Sequence, residues 1–301
     1  MIEASRLGGS RWARRRLPAA ALAAALLVAC GSAERRLEAA TALRRGGDSK
    51  GALEAYKALL ADLGEGSLPA DQAAVRAKAL RSAGDIAYLE LGDYTGALSY
   101  YRRIVSLQPG GREALEARAV IGDIYRDRFN DPLAAIAQYA NVAASPSPLA
   151  PSYQLEVAKG YLALARWEQA RTEARILRDR WPTHELADEA QLIAGQAWAL
   201  EGRGAEALGA LQALIDRKPR PEITARALEA QAHIHAQKGR LDRAVELYAL
   251  ALPAHPNPDA VRTHIAAVRE RQERARTATP GDRAAAFDEA RAVRRALTEE
   301  P

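Results

Sequence analysis

Cysteine is almost missing from this 301-residue chain, which has only Cys30. A single cysteine excludes an intramolecular disulfide, so an oxidising compartment would impose nothing further on the fold. A long membrane-spanning run is missing from the N-terminal region as well. Its apolar stretch, residues 17–29 (LPAAALAAALLVA), has 13 residues, and a span needs about 20. Charge of one sign is scarce. The formal net charge is +5, but residues 1–29 hold five arginines and one glutamate, so the remainder carries +1. The high pI of 9.4 therefore gives no support for nucleic-acid binding. There is no HExxH, nucleophile elbow, P-loop or dinucleotide-binding glycine motif. The chain is accordingly read as a non-enzyme with no cofactor and no small-molecule substrate.

What is present at the N-terminus is ordered like a secretory signal: the basic run RWARRR (11–16), the apolar core, then small residues. Leu27-Val28-Ala29-Cys30 resembles a lipobox. In bacterial lipoproteins of that pattern the cysteine sulfur takes a diacylglyceryl group and the signal is removed before it. The chemistry fits, because a thiolate is a strong nucleophile for alkylation and several acyl chains anchor far more firmly than one. Gly31, rather than aspartate, follows the cysteine, which in lipoproteins of the enterobacterial kind goes with the outer membrane. The expected organisation is a signal over 1–29, a lipid-anchored terminus over 30–32, a repeat domain over 33–258 and C-terminal helices over 259–301.

The body of the chain repeats. Six alanines, Ala52, Ala97, Ala135, Ala170, Ala207 and Ala244, are spaced by 45, 38, 35, 37 and 37 residues. Four residues after them stand Tyr56, Tyr101, Tyr139, Ala174, Leu211 and Tyr248. Five residues before come Gly47, Gly92, Asn130, Ala165, Gly202 and Gly239, and twelve after, Pro109, Pro182, Pro219 and Pro256 fill four of six places. At about 5% proline usage per position, that coincidence has odds of roughly one in ten thousand. Each element has a mechanical reason. Glycine or asparagine ends a helix and turns the chain, a small residue lets two helices approach, a large one a turn later fills the gap, and proline stops the helix. Nine residues before the alanines are Leu43, Tyr88, Arg126, Tyr161, Trp198 and His235. In the third unit Tyr125 stands one place early, which implies an inserted residue near Asp131-Pro132.

This punctuation resembles the tetratricopeptide repeat, whose usual period is 34 residues. The resemblance implies an all-α, right-handed solenoid of about six helix hairpins, with the extra residues in loops at 63–69 (LGEGSLP) and 145–151 (SPSPLAP). Two further helices are expected near 259–278 and 282–298, split by Thr279-Pro280-Gly281, the first of them capping the last hairpin.

The histidines carry no metal signature: His233 and His235 lie two apart on a helix, about 200° around it, so no metal site is expected. Arg269, Arg271, Arg274 and Arg276 alternate with Glu270 and Glu273 as on a solvated face. Trp167, Trp181 and Trp198 fall at repeat positions and read as core. What remains is the concave groove, lined by the first helix of each hairpin. Counting from the alanines, its candidate residues are Arg44, Arg45, Ile86, Leu89, Glu90, Asp123, Arg126, Lys159, Leu162, Gln196, Leu200, His233 and Gln237. With one lysine and no asparagine, they lack the carboxylate clamp of chaperone-tail binders. Loops and the convex side stay open as alternatives.

LVAC followed by repeats such as RDRWPTHELADEAQLIAGQAWALEGRGAEALGALQALIDRKP (178–219) resembles outer-membrane lipoproteins of the BamD and YbgF-like group. That group typically has five repeats rather than six, and pilus-assembly pilotin lipoproteins resemble the chain in anchor and repeat number. The resemblance implies a lipid-anchored, periplasm-facing scaffold that binds protein partners in an outer-membrane assembly complex, for barrels, a secretin or a pilus. The alternative is an adaptor coupling wall synthesis, division or motility to the outer membrane.

Mass analysis of protein purified from a bacterial envelope is expected to show a chain that begins at a lipid-modified Cys30. Normal processing and salt-resistant membrane fractionation of a Cys30→Ser protein would contradict the lipid anchor.

Overall fold

The structure is a computed structural model that describes residues 32–277. Cys30, the expected signal and the expected helix at 282–298 lie outside the described residues. Among the described residues all regular structure is helical, with no strand, and no helix is long and apolar enough to cross a membrane. The chain divides into two compact units that meet at Ile124/Tyr125.

The first unit contains α1 (Ala33–Arg45), α2 (Ser49–Leu63), α3 (Ala70–Asp85) running on into a π-helical turn (Ile86–Glu90), α4 (Tyr94–Leu107) and most of α5 (Arg112–Asp127). Within it α1 packs on α2, α2 on α3 and α3 on α4, and α1 also touches α3. The second unit holds α6 (Pro132–Ala143), α7 (Ala150–Ala163), α8 (Trp167–Arg180), α9 (Ala187–Leu200), α10 (Gly204–Asp216), α11 (Pro221–Gln237), α12 (Leu241–Ala251) and α13 (Pro258–Thr277). Each of these packs on the next, and the first helices of successive pairs, α7, α9 and α11, touch one another.

The punctuation explains why the chain folds this way. All six alanines are buried, none more than 2% exposed, and so are all six residues four positions later. All six residues five before the alanines have positive φ: Gly47 (85°), Gly92 (68°), Asn130 (50°), Ala165 (55°), Gly202 (83°) and Gly239 (73°). The left-handed conformation is therefore required in every pair, including the two where the residue is not glycine. α4, α8 and α10 end two or three residues before Pro109, Pro182 and Pro219, and the 3-10 turn Leu252–Ala254 that follows α12 ends two before Pro256, as the restriction that proline places on its predecessor demands.

Closeness of the paired helices shows at the glycines of the first helices. A Cβ on Gly195 would lie 2.6 Å from Leu211 Cδ2, and one on Gly84 would lie 3.0 Å from the Tyr101 ring. Where the corresponding residue is alanine, as at Ala40, Ala158 and Ala232, it has no exposed surface. α13 caps the second unit by burying Val261 and Val268 against Ala232, Ala236, Ala244, Leu247 and Tyr248.

The second pair departs from the expected register. The N–H of the residue four before the alanine donates to the carbonyl of the residue nine before it in the first, fourth, fifth and sixth pairs. In the third pair Asp131 N donates to Tyr125 O, one residue further back, as the early tyrosine implied. The second pair does the same, Asp93 N donating to Ala87 O, because the π-helical turn absorbs an extra residue. π-helical structure occurs mostly as such single turns within α-helices.

Two substitutions test this packing by thermal or denaturant unfolding. Gly195→Ala should destabilise by about 1–3 kcal/mol through overpacking against the buried Leu211. Ala165→Gly should stabilise, by up to about 1 kcal/mol, because it relieves a left-handed alanine while adding some unfolded-state freedom. No change at either site would contradict the geometry described.

Candidate partner-binding face

The first helices place most of the expected groove residues at the surface. In the second unit Leu162 from α7, Gln196 and Leu200 from α9, and His233 and Gln237 from α11 line one cavity of about 470 Å³. Ala199, Glu229, Ala230 and Ile234 complete it. Its lining combines aliphatic side chains with two primary amides, a carboxylate and an imidazole. Leu200 is 59% exposed, unusually open for a large aliphatic residue. The first unit has its own cavity of about 520 Å³, whose walls include Leu37 and Thr41 of α1 and Lys78 and Arg81 of α3.

The charged candidates are tied to one another. In the second unit an ion-pair ladder crosses the first helices: Arg126 Nη1 lies 3.6 Å from Glu156, Lys159 Nζ 3.2 Å from Glu156 and 3.5 Å from Glu189, and Arg226 Nη1 3.4 Å from Glu189. Arg126 also pairs with Asp127 at 2.8 Å. In the first unit Arg44 lies 2.7 Å from Glu90, and the Ser49 hydroxyl donates to the same carboxylate. Arg45 and Leu89 are exposed and Asp123 is half-buried.

Ile86 is the correction. It was expected in the groove but is completely buried, because the π turn shifts the register so that Asp85 takes its place. The hydrogen bonds of the buried tyrosines confirm the shift. Tyr56 Oη pairs with Thr41 Oγ1 at 2.8 Å and Tyr248 Oη with His233 Nδ1 at 2.8 Å, eleven residues before the anchor in both pairs. Tyr101 Oη instead donates to Asp85, twelve before, at 2.7 Å. Burial and the bond to Asp85 together push the Tyr101 phenol well above its usual range. Trp167, Trp181 and Trp198 are partly buried against the cores. The guanidinium groups of Arg171 and Arg203 also lie over Trp198, at 3.6 and 4.0 Å from its ring centroid.

A cluster that the sequence reading missed adjoins the cavity. Glu229 and His233 of α11 meet His264 of α13, and His255 reaches the same carboxylate. His233 and His235 do separate as expected, but His264 arrives from a helix 31 residues later, which no local spacing reveals. His233 is the largest influence holding the Glu229 carboxyl below its usual range, with burial opposing it and His255 assisting. Burial, then the neighbouring His233, lowers His264. Burial, then Glu229, pushes the Tyr248 phenol up to about 12.

The tetratricopeptide repeat profile matches residues 37–112, 86–153, 155–220 and 211–259. Among solved structures, the apo form of RapI matches with a TM-score of 0.51 at 11% identity, over 81% of this chain and 72% of that one. A tetratricopeptide repeat protein from Parabacteroides merdae matches with a TM-score of 0.42 at 15% identity, over 79% and 84%. PilW, described as a widely conserved type IV pilus biogenesis factor, matches with a TM-score of 0.44 at 17% identity, over 77% and 99%. No curated protein sequence matches the chain. At such identities the likeness is one of fold.

Glu90 supplies a pH test. The Ser49 hydroxyl foremost, then Arg44, holds its carboxyl below the usual range. A depressed folded-state pKa contributes stability above the unfolded value, and that stability is lost as pH falls through the folded one. An NMR titration should therefore place the Glu90 midpoint below that of an ordinary glutamate. The acid-side loss of stability should shrink in Glu90→Gln.

Proposed function

We propose, from the premise that this chain belongs to the tetratricopeptide repeat family, that it is a protein-interaction scaffold, tethered by a lipid on Cys30 to the periplasmic side of a bacterial outer membrane. The observation that carries the binding role is the cavity formed by α7, α9 and α11, to which three successive helix pairs contribute five of the groove residues expected from the sequence.

The lining selects the kind of partner. Leu162 and Leu200 present apolar surface that gains free energy when covered, at about 25 cal/mol per Å². The amides of Gln196 and Gln237 each offer donors and an acceptor, which suits the alternating N–H and C=O groups of a peptide backbone. Lys159 and Arg126 are already neutralised by neighbouring carboxylates, so simple attraction of an acidic tail is not what this face is built for. An apolar side chain on an extended or helical segment of an envelope protein fits it best. The LVAC segment and the resemblance to outer-membrane repeat lipoproteins support placing that partner in an assembly complex for barrels, a secretin or a pilus.

Leu200→Asp combined with Gln196→Ala should leave helicity and membrane attachment unchanged. Recovery of the principal partner from detergent-solubilised envelopes should fall by roughly tenfold or more, as for central contacts of an interface. Arg175→Glu, at an exposed site on the second helix α8, should bind like the parent. Equal recovery by the double variant and the parent would remove this cavity from consideration.

A further inference from the structure

We infer that Glu229, His233 and His264 form a binding site for a first-row divalent metal ion of the zinc type. Glu229 and His233 are four apart on α11 and so share one of its faces. α13 brings His264 against them, with the His233 and His264 rings edge-to-face at a centroid distance of 4.7 Å. His233 Nε2 stands 3.9 Å from Glu229 Oε1, and His264 Nε2 stands 3.7 Å from the same oxygen. One ligand atom from each of the three residues lies within 4.8 Å of the others.

Those spacings suit an ion. In a tetrahedral site with bonds of about 2.0–2.1 Å, ligand atoms stand about 3.4 Å apart, so a small inward rotation of each ring closes the set. Two imidazoles and one carboxylate are donors that zinc and its neighbours accept. Three protein ligands leave a coordination position for water or a partner's side chain.

The surroundings hold the ligands in place. Tyr248 Oη bonds His233 Nδ1 at 2.8 Å, which leaves Nε2 free to ligate. The His255 side chain, 8% exposed, meets Glu229 Oε2 with its Nε2 at 3.0 Å, so Oε1 is the oxygen left for the ion. Such outer partners fix the tautomer and orientation of ligands. The side chains of His233 and His264 are 45% and 39% exposed, and both Glu229 and His233 line the cavity, so an ion has a path in. Bound metal would tie α13 to α11.

The test uses the untagged full chain, stripped with a chelator and titrated with zinc chloride by calorimetry. One equivalent should bind, and saturating zinc should raise Tm by about 5 °C, since a ligand held only by the folded state stabilises it. Cobalt(II) should give the visible absorption of a low-coordinate nitrogen–oxygen site. His264→Gln and Glu229→Gln should abolish the Tm rise, and Tyr248→Phe should weaken binding by about tenfold. His184→Ala and His235→Ala should bind as the parent does. Should a variant lose helicity by circular dichroism, the cobalt spectrum of His264→Gln against that of the parent decides the matter. Absence of binding by the parent, or one-equivalent binding that survives in a His233→Ala/His264→Gln double variant, overturns the site.

Discussion

In the fifth helix pair Leu211 lies so close to the backbone of Gly195 that a single methyl group there would sit 2.6 Å from its Cδ2. Between the third and fourth pairs, Ile136 of α6 stands as close to Gly160 of α7, 2.7 Å from where a Cβ would be. Helices this near exclude bulk on one side and demand it on the other, which is why small and large residues alternate at fixed offsets through the chain. The close approach also fixes where each first helix lies. Residues a turn or so away from the contact must face outward, and in the second unit they do so together from α7, α9 and α11. The cavity follows from packing that has no interest in ligands.

Most of this arrangement was legible because the requirements are local. A left-handed turn, a small residue, a large one and a terminating proline each leave a mark at a fixed distance along the chain. Asn130 and Ala165 show that the backbone requirement outlasts the glycine that usually meets it. Two features left no such mark. The π turn at Ile86–Glu90 hides because Tyr88 occupies the offset where an aromatic is expected, so nothing in the spacing betrays the extra residue. Only the hydrogen bonds of Asp93 and Tyr101 reveal it. The histidine cluster hides for the opposite reason: its members are far apart in the chain and meet only once α13 has docked.

Charge is distributed in a way that sharpens the functional reading. Exposed ion pairs contribute little stability, about 0–1 kcal/mol each, so the ladder from Arg126 through Glu156, Lys159 and Glu189 to Arg226 is a weak source of folding energy. Its consequence lies in recognition. Each cation on that face already has a carboxylate neighbour, and a charged partner would have to displace one pairing to form another. Such exchange is nearly neutral in free energy but discriminates against mismatched partners. On the proposed function, affinity is then left to Leu162 and Leu200, and orientation to the amides beside them.

The helix starts differ along the chain in a related way. Asp48, Asp93 and Asp131 cap the second helices of the first three pairs, each accepting a backbone N–H at 2.8–3.0 Å. Arg166, Arg203 and Arg240 stand at the same position in the last three and make no cap bond. Losing such a cap costs about 1 kcal/mol. Arg203 recovers part of it elsewhere: its guanidinium covers the Trp198 ring and bonds Glu206 at 2.7 Å, while Arg171 also lies over the ring and bonds Glu201 at 2.8 Å. Cation–π contacts of this kind contribute about 0.5–2 kcal/mol as water is excluded. The same position thus closes a helix end in the early pairs and shields a tryptophan in the fifth. Trp198 is thereby held on the opposite side of α9 from the cavity, and the inner face is left to the aliphatic and amide side chains that line it.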